Sequence, residues 1–244
     1  MVGLVGRNMD PDDSRSIGTQ RSVIMREKEA GKRLAVCELD GKQLQVEDLQ
    51  NLFDIDLYKR ARAVHAPHNL LDGLPANCPR TLVALNLSHN RFVELVDCPL
   101  LPNLTELNLS HNGITSASPL PLPKLKRLDL SFNQIEQLVC LDAYKALAEL
   151  DLAGNRVRRL ADVRLLSLNR HLRALDLTGN PVAGARGFRV AVRHLLPGLV
   201  NLNQLSQNGQ TVSYARLHAA QQQERAAARR AGGGGEGGGG AGSV

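Results

Sequence analysis

The chain carries a regular alternation of leucine and polar positions that fits one template, L-x-x-L-x-L-x-x-N. Five copies are nearly complete, at residues 82–90, 104–112, 125–133, 147–155 and 172–180. A degraded sixth copy lies at 61–69, and a weaker seventh lies at 34–42, with Lys42 in the asparagine position. Because most copies recur 21 to 25 residues apart, they predict a chain of repeated structural units.

Each copy is expected to form one short strand. In the copy at 104–112, Leu107 and Leu109 alternate with Glu106, Asn108 and Ser110. A period of two places the leucines on one face and the polar residues on the other. Stacked copies at this spacing predict a leucine-rich repeat solenoid of the α/β type. We expect a parallel β-sheet on its concave face and an irregular or helical convex side.

The residues that close the copies are predicted to be structural. Where the chain leaves the strand, its backbone N–H and C=O groups need new partners, and an amide side chain both donates and accepts. Stacked amides therefore bond the turns of neighbouring copies. The residues concerned are Asn69, Asn90, Asn112, Asn133, Asn155 and Asn180.

The pattern changes beyond Asn180. Phe188, Val192 and Leu196 fall at helical spacing and predict a helix that covers the open end of the core, which would otherwise be exposed. The segment 162–169 lengthens its copy and is expected to form a helical turn. The predicted organisation is a disordered N-terminus at 1–20, a short helix at 21–33, a solenoid of six to seven repeats at 34–182, a cap at 183–205, a basic helical extension at 212–231 and a disordered glycine-rich tail at 232–244.

The period and the cap resemble a class of leucine-rich repeats typified by the nuclear regulatory subunit of protein phosphatase 1. The matching cap residues are Asn180-Pro181-Val182, Phe188-Arg189, Val192, Leu196-Pro197 and 199–203, where Asn203 departs from the usual Asp. Other proteins of this class include a spliceosomal leucine-rich protein, a tubulin-folding cofactor, a dynein light chain and ciliary assembly factors. The resemblance implies a binding scaffold and leaves the partner open.

Composition narrows the class of protein. Aromatic residues make up only 3% of the chain, and the four cysteines (Cys37, Cys78, Cys98 and Cys140) form no C-x-x-C pair. Widely spaced cysteines favour reduced thiols and a cytoplasmic or nuclear protein. No apolar run reaches the roughly 18 residues of a membrane span, so we expect no membrane partner. There is no P-loop, G-x-S-x-G or H-E-x-x-H motif, so we expect no enzyme, no catalytic residue and no cofactor.

The outward strand positions are the candidates for partner binding. One column, with Glu106, Arg127 and Glu149, is variable and charged. The next column contains Asn108, Asp129, Asp151 and Asp176, but Asp and Asn are common in this position of the repeat, so a structural role competes with a binding role.

A third column contains His68, His89, His111 and Phe132. Three stacked imidazoles suggest a metal site, but metal ligands must converge on one point and a linear ladder spaces them apart. We therefore expect no metal here. An exposed Phe132 would be a partner anchor.

The C-terminal convex side is basic, and the whole chain carries a net charge of +6. This basic patch is either a solvated, solubilising face or a surface for an acidic partner such as tubulin tails; no nucleic-acid module accompanies it. Its residues are Arg156, Arg158, Arg159, Arg164, Arg170 and Arg173.

These observations predict a non-catalytic intracellular scaffold or regulatory subunit that binds a protein on its concave face. A cytoskeletal or flagellar partner is favoured by the basic charge. A phosphatase catalytic subunit and a nuclear ribonucleoprotein remain alternatives.

Overall fold

The computed structural model describes residues 24–26, 36–56, 58–94, 98–116, 119–139 and 141–206. The expectations for 1–20, 212–231 and 232–244 lie outside the described residues, as does Cys140.

The described strands form a single sheet of ten strands in chain order. The central eight strands, β2 to β9, are parallel. This arrangement confirms the predicted solenoid, with one strand from each of the seven copies. The strands are β1 Ile24–Arg26, β2 Val36–Glu38, β3 Ala63–His65, β4 Ala84–Asn86, β5 Glu106–Asn108, β6 Arg127–Asp129, β7 Glu149–Asp151, β8 Ala174–Asp176, β9 Asn201–Leu202 and β10 Leu205–Ser206.

The middle residue of each strand from β2 to β8 points into one continuous apolar core. Leu107, Leu128 and Leu150 are almost completely buried, while the residues on either side of them are only half-buried. Cys37 takes the same inward position in β2 and is fully buried. Burial raises the pKa of this thiol to about 12, so Cys37 behaves as a small core residue.

The asparagines form the predicted ladder between repeats. Asn133 accepts a hydrogen bond from the Ile114 N–H at 3.0 Å and donates to the carbonyls of Leu109 and Leu130, both at 3.0 Å. Asn155 repeats this pattern one copy later. The amide therefore joins the turn of its own repeat to the turn before it, which confirms its structural role.

The return segments carry the helices. Helix α1, Val46–Asp54, follows β2 and buries Leu49 and Phe53. Helix α2, Leu160–Arg164, continues into a 3₁₀ turn at Leu165–Leu168, as expected for 162–169. Helix α3, Phe188–Leu195, buries Phe188 and Val192 over the end of the core. In the described part of the chain, no helix is long and apolar enough to cross a membrane.

Both ends of the sheet differ from the sequence-based expectation. Within 21–33, where a short helix is expected, residues Ile24–Arg26 form β1 instead and pair antiparallel with β2. Within the cap, β9 adds an eighth parallel strand, and β10 folds back against it. An edge strand of a repeat sheet offers unpaired backbone groups, and an antiparallel strand satisfies them at each end.

Candidate protein-interaction surface

Parallel register aligns the outward side chains of β2 to β8 into columns on the concave face. We call the column containing Asn108, Asp129, Asp151 and Asp176 the acidic column, because its C-terminal half is entirely carboxylate. Asp129 accepts hydrogen bonds from the Ser131 N–H at 2.9 Å and the Ser131 hydroxyl at 2.7 Å.

The same Oδ1 contact recurs along the acidic column. Asn108 accepts from the Ser110 N–H, Asp151 from the Ala153 N–H and Asp176 from the Thr178 N–H, at 2.9, 2.9 and 2.8 Å. One oxygen of each side chain therefore fixes the end of its own strand. This local role explains why Asp and Asn both fit the position.

The C-terminal end of the acidic column is unusually buried. The outward residues of β4 to β7 are half-exposed, whereas Ala174 and Asp176 of β8 are buried. Asp176 has no exposed surface, and its Oδ2 has no hydrogen-bond partner. Burial and the nearby charges of Asp129 and Asp176 raise the pKa of Asp151 to about 7, against the opposing effect of the Ala153 hydrogen bond.

The charges of the neighbouring column largely cancel one another, because its own side chains form ion pairs. Arg127 of β6 lies between two carboxylates, 3.3 Å from Glu106 Oε1 and 3.2 Å from Glu149 Oε2. Parallel pairing places these three residues directly beside one another on β5, β6 and β7. The three residues predicted as variable contact positions therefore form a row that is already bonded, with one negative charge in excess.

Four rings form a continuous stack along the third column. The ring centroids of His68 and His89 are 4.3 Å apart, those of His89 and His111 4.2 Å, and those of His111 and Phe132 4.4 Å. The planes are tilted by 20° or less. Such stacking prevents the ring nitrogens from converging on one point. In the parts of the chain that the structure describes, no group of three or more His, Cys, Asp and Glu side chains could hold a metal ion.

Phe132 ends this stack and is 55% exposed. Its other side faces Gly154, where an added Cβ would lie 2.8 Å from the ring. The phenyl ring is therefore held between His111 and the backbone of the next repeat while its edge stays open to solvent.

The ring column has a backbone property that the sequence-based prediction did not include. The eighth position of all seven copies has a positive φ: it is +53° to +55° at the four ring residues and +63° to +75° at the three glycines. Only glycine adopts this region without strain. The sequence indicated this backbone conformation only through the glycines that occupy the eighth position of three copies. The residues are Gly41, His68, His89, His111, Phe132, Gly154 and Gly179.

The basic patch is exposed on the segment that connects β7 to β8. Arg159 pairs with Asp162 at 3.3 Å, and Arg173 donates to the carbonyls of Arg170 and Leu172, both at 3.1 Å. Arg156, Arg158, Arg164 and Arg170 are also exposed. In the C-terminal half, the acidic side chains therefore lie on the strands, whereas the exposed arginines lie on the segment between β7 and β8.

Family models for leucine-rich repeats match two parts of the chain. A model of two leucine-rich repeat copies matches residues 102–143, and a single-repeat model matches residues 168–185. The chain therefore carries leucine-rich repeats by sequence as well as by fold. The finer assignment to the phosphatase-subunit class remains a prediction.

The chain is similar to several known proteins. A histone of Tetrahymena thermophila is 40% identical over 90 residues, covering 36% of this chain and 23% of that protein. Human lumican is 33% identical over 129 residues, covering 51% and 38%. Acidic leucine-rich nuclear phosphoprotein 32 family member A of Drosophila melanogaster is 29% identical over 161 residues, covering 65% and 56%. The chain thus spans less than two thirds of each of these relatives.

Among solved structures, an internalin of Listeria monocytogenes superposes with a TM-score of 0.52 and 24% identity, covering 70% of this chain and 48% of the internalin. This similarity supports the solenoid fold alone.

Proposed function

We propose that the chain is a non-catalytic scaffold that binds a protein partner on its concave face. The observation that carries this proposal is the position of Phe132, a large apolar ring that is more than half exposed yet fixed by His111 on one side and Gly154 on the other. Aromatic side chains with restricted motion are favoured binding anchors, because little conformational entropy is lost when a partner covers them.

The rest of the face supports the same use. The Arg127 bridges and the Asp–backbone bonds fix the outward side chains before any partner arrives. Solenoids in general present such extended, pre-formed concave surfaces. A partner that covers Phe132 also contacts Asp129, Asp151 and the bridged Glu106–Arg127–Glu149 row, which are the predicted contact residues.

Affinity purification followed by mass spectrometry tests the proposal. The parent chain is compared with Phe132→Ala and with Leu168→Ala, a matched control because Leu168 is 54% exposed on the convex side. We expect Phe132→Ala to lose at least about ten-fold of the captured partner, equal to about 1.4 kcal/mol, and the control to retain it. Equal loss or equal retention in the two variants would place the partner elsewhere.

The exposed basic patch supports a second surface, for an acidic partner. We propose acidic protein tails, such as those of tubulin, as its ligand, which would make the chain a cytoplasmic component of the cytoskeleton or flagellum. The charge reversal Arg158→Glu with Arg164→Glu should weaken binding to polymerised tubulin and flatten its salt dependence. Arg91→Glu with Lys124→Glu makes the same charge change away from the patch and should have a smaller effect. Indistinguishable binding by all three chains would remove the patch as a tubulin contact.

Two alternative functions use the same concave face as the binding surface but have a different partner. A phosphatase catalytic subunit follows from the resemblance of the repeat period and cap. A nuclear ribonucleoprotein is the second alternative; the name of the similar fruit-fly protein supports its nuclear location but not the RNA. The purification above separates them by the identity of the captured protein and by whether nuclease treatment removes it.

A further inference from the structure

We propose that the chain associates with further copies of itself, end to end, through helix α1 of one copy and helix α3 of the next. Helix α1 carries an exposed acidic side, and helix α3 carries an exposed basic side. The contact leaves the Phe132 surface free, so it goes beyond the partner binding proposed above. An end-to-end array presents several copies of that surface at once.

The basic surface lies on the outer side of α3. Phe188 and Val192 of this helix are buried, whereas Arg189, Val190 and Arg193 are exposed. Val190 is 62% exposed, the largest exposed fraction among the large apolar side chains that the structure describes. The helix therefore shows solvent an apolar side chain between cationic ones.

No exposed carboxylate from the same part of the chain neutralises this surface. Residues 163–206 contain six arginines and a single acidic residue, Asp176, which has no exposed surface. Arg186 lies directly before α3 and is also exposed. The cap thus presents positive charge around an apolar residue. Such a surface fits a partner surface that combines carboxylates with an apolar side chain.

The acidic surface lies on the outer side of α1. Glu47 and Asp54 are both exposed and stand seven residues apart, which places them two turns apart on one side of the helix. Ile55 follows the helix and is 41% exposed. Residues 43–58 contain four acidic residues and no lysine or arginine. This side of α1 has the composition that the surface of α3 requires.

Contacts within the chain use only part of the acidic charge. Asp54 accepts a hydrogen bond from the neutral Asn77 amide at 2.8 Å, which leaves the negative charge in place. Asp56 pairs with Lys59 at 2.8 Å, but its side chain is 96% exposed, and surface pairs of this kind are weak. The α1 side therefore keeps a negative charge that a second, positive surface can meet.

The two helices lie at opposite ends of the solenoid. Helix α1 connects β2 to β3, in the first copy of the repeat, and α3 connects β8 to β9. Among the described residues, no helix precedes α1 and none follows α3. The strands stack in chain order, so a second copy placed beyond the cap brings its own first repeat toward α3. A contact between unlike surfaces is not closed by a two-fold axis and can extend to a third copy.

The size of the contact predicts a weak association. Two short helices bury less than the roughly 1,200 Å² of a stable protein interface. We expect a dissociation constant on the order of 100 µM, at which the ionic strength decides how much complex forms.

Sedimentation velocity of the full chain measures this association. The chain is followed from about 5 to about 500 µM at low salt, and again at about 0.5 M salt. We expect the average sedimentation coefficient to rise with concentration at low salt and to stay near the monomer value at high salt. A chain that remains monomeric over the whole range would leave both helices to other partners and overturn the proposal.

Charge reversals at each end locate the contact. Arg186→Glu with Arg189→Glu makes the α3 side acidic, and Glu47→Lys with Asp56→Lys makes the α1 side basic. Each variant then has like charge at both ends and should stay monomeric, whereas an equal mixture of the two should associate as the parent does. Both variants keep a net positive charge, so attraction between whole molecules does not explain association in the mixture.

Two further comparisons complete the test. Arg91→Glu with Lys124→Glu reverses two exposed charges in the middle of the solenoid and should associate like the parent. Val190→Ser should weaken association at least about three-fold, whereas Val93→Ser, at a 55% exposed position, should not. Association that either end variant retains alone, or a mixture that stays monomeric, would overturn the contact between α1 and α3.

Discussion

At the scale of single residues, the eighth position of each repeat connects backbone geometry to the proposed binding surface. A positive φ is imposed there because the chain turns from the strand toward the asparagine ladder. Glycine meets this demand without strain, whereas histidine and phenylalanine meet it at a cost of about 1 kcal/mol or more. The four ring residues are strained in this way, but their rings stack on one another. Phe132 therefore lies at the end of a rigid row of rings.

The pairing of Gly154 with Phe132 gives a residue-scale prediction. Gly154→Ala adds a Cβ that would lie 2.8 Å from the Phe132 ring, at a φ of +67°. We expect the free energy of unfolding to fall by about 2–3 kcal/mol and Phe132 to be displaced. Gly41→Ala is the control, because Gly41 has a similar φ of +63° but nothing within 4 Å of the added Cβ. Its cost should be about 1 kcal/mol.

Urea unfolding of both variants, of Phe132→Ala and of the double variant Gly154→Ala with Phe132→Ala measures these costs. Measured against Phe132→Ala, the cost of Gly154→Ala should fall to that of Gly41→Ala. A cost of Gly154→Ala that is the same with and without the ring would show that the contact with Phe132 is not the cause.

The histidine stack gives a pH prediction. Burial, and then the neighbouring rings of His111 and His68, lower the pKa of His89 below its ordinary value of 6.5. The unfolded chain then binds the proton more readily than the folded chain, so this residue's contribution to stability is present above pH 6.5 and is lost as the pH falls below it. The Asp151 carboxyl, whose pKa is raised, acts with the opposite sign over the same range.

His89→Phe isolates the effect, because Phe132 shows that phenylalanine fits the position. The melting temperatures of parent and variant are compared between about pH 7.5 and about pH 5, on either side of the ordinary histidine pKa. The parent should lose more stability than the variant on acidification. Parallel pH curves would mean that the stacked ring does not resist protonation.

At the scale of elements, a three-residue strand is stable only because it is paired with a strand of the preceding repeat and with a strand of the following repeat. Leu150 is fully buried at the centre of β7, between Leu128 of β6 and Leu175 of β8. Leu150→Ala should lower the free energy of unfolding by about 2–5 kcal/mol, through lost burial and a cavity. Leu168→Ala, at a 54% exposed position, should change it by less than about 0.5 kcal/mol. Equal urea midpoints for the two variants would contradict the inward register of β7.

The sequence carried enough information to predict these elements because a period-two strand inside a fixed repeat has only one inward register. Even the weak copy at 34–42 forms a parallel strand, although Cys37 replaces a leucine and Lys42 replaces the asparagine. The ends were harder to predict. Ile24–Arg26 and Leu205–Ser206 belong to no repeat, and their strands depend on pairing with an edge rather than on their own pattern.

The site was only partly predictable for a related reason. The outward columns follow from the repeat register, but side-chain pairing between them does not. Arg127 bridging two glutamates, the orphaned Asp176 oxygen and the fixed Phe132 ring all depend on distances between different repeats. A pattern within one copy contains no such distances.

At the scale of the whole molecule, the solenoid carries residues of opposite charge on different segments. The outward strand positions hold the acidic column, the fixed ring of Phe132 lies in the turn after β6, and the segment between β7 and β8 is rich in arginine. Because neighbouring repeats are held by the asparagine ladder and a continuous core, the concave face is presented as one pre-formed surface. We therefore propose that a partner is recognised by the residues between the repeat-defining leucines and asparagines.

Photo-crosslinking at Phe132 tests this central assignment most directly. A photoreactive phenylalanine analogue is placed at position 132 in the full chain, and in a second chain at position 168, where Leu168 is equally exposed on the convex side. We predict an adduct of higher mass with another protein from position 132 and little or none from position 168. An adduct from position 168 alone, or no intermolecular adduct from position 132, would contradict the concave face as the partner surface.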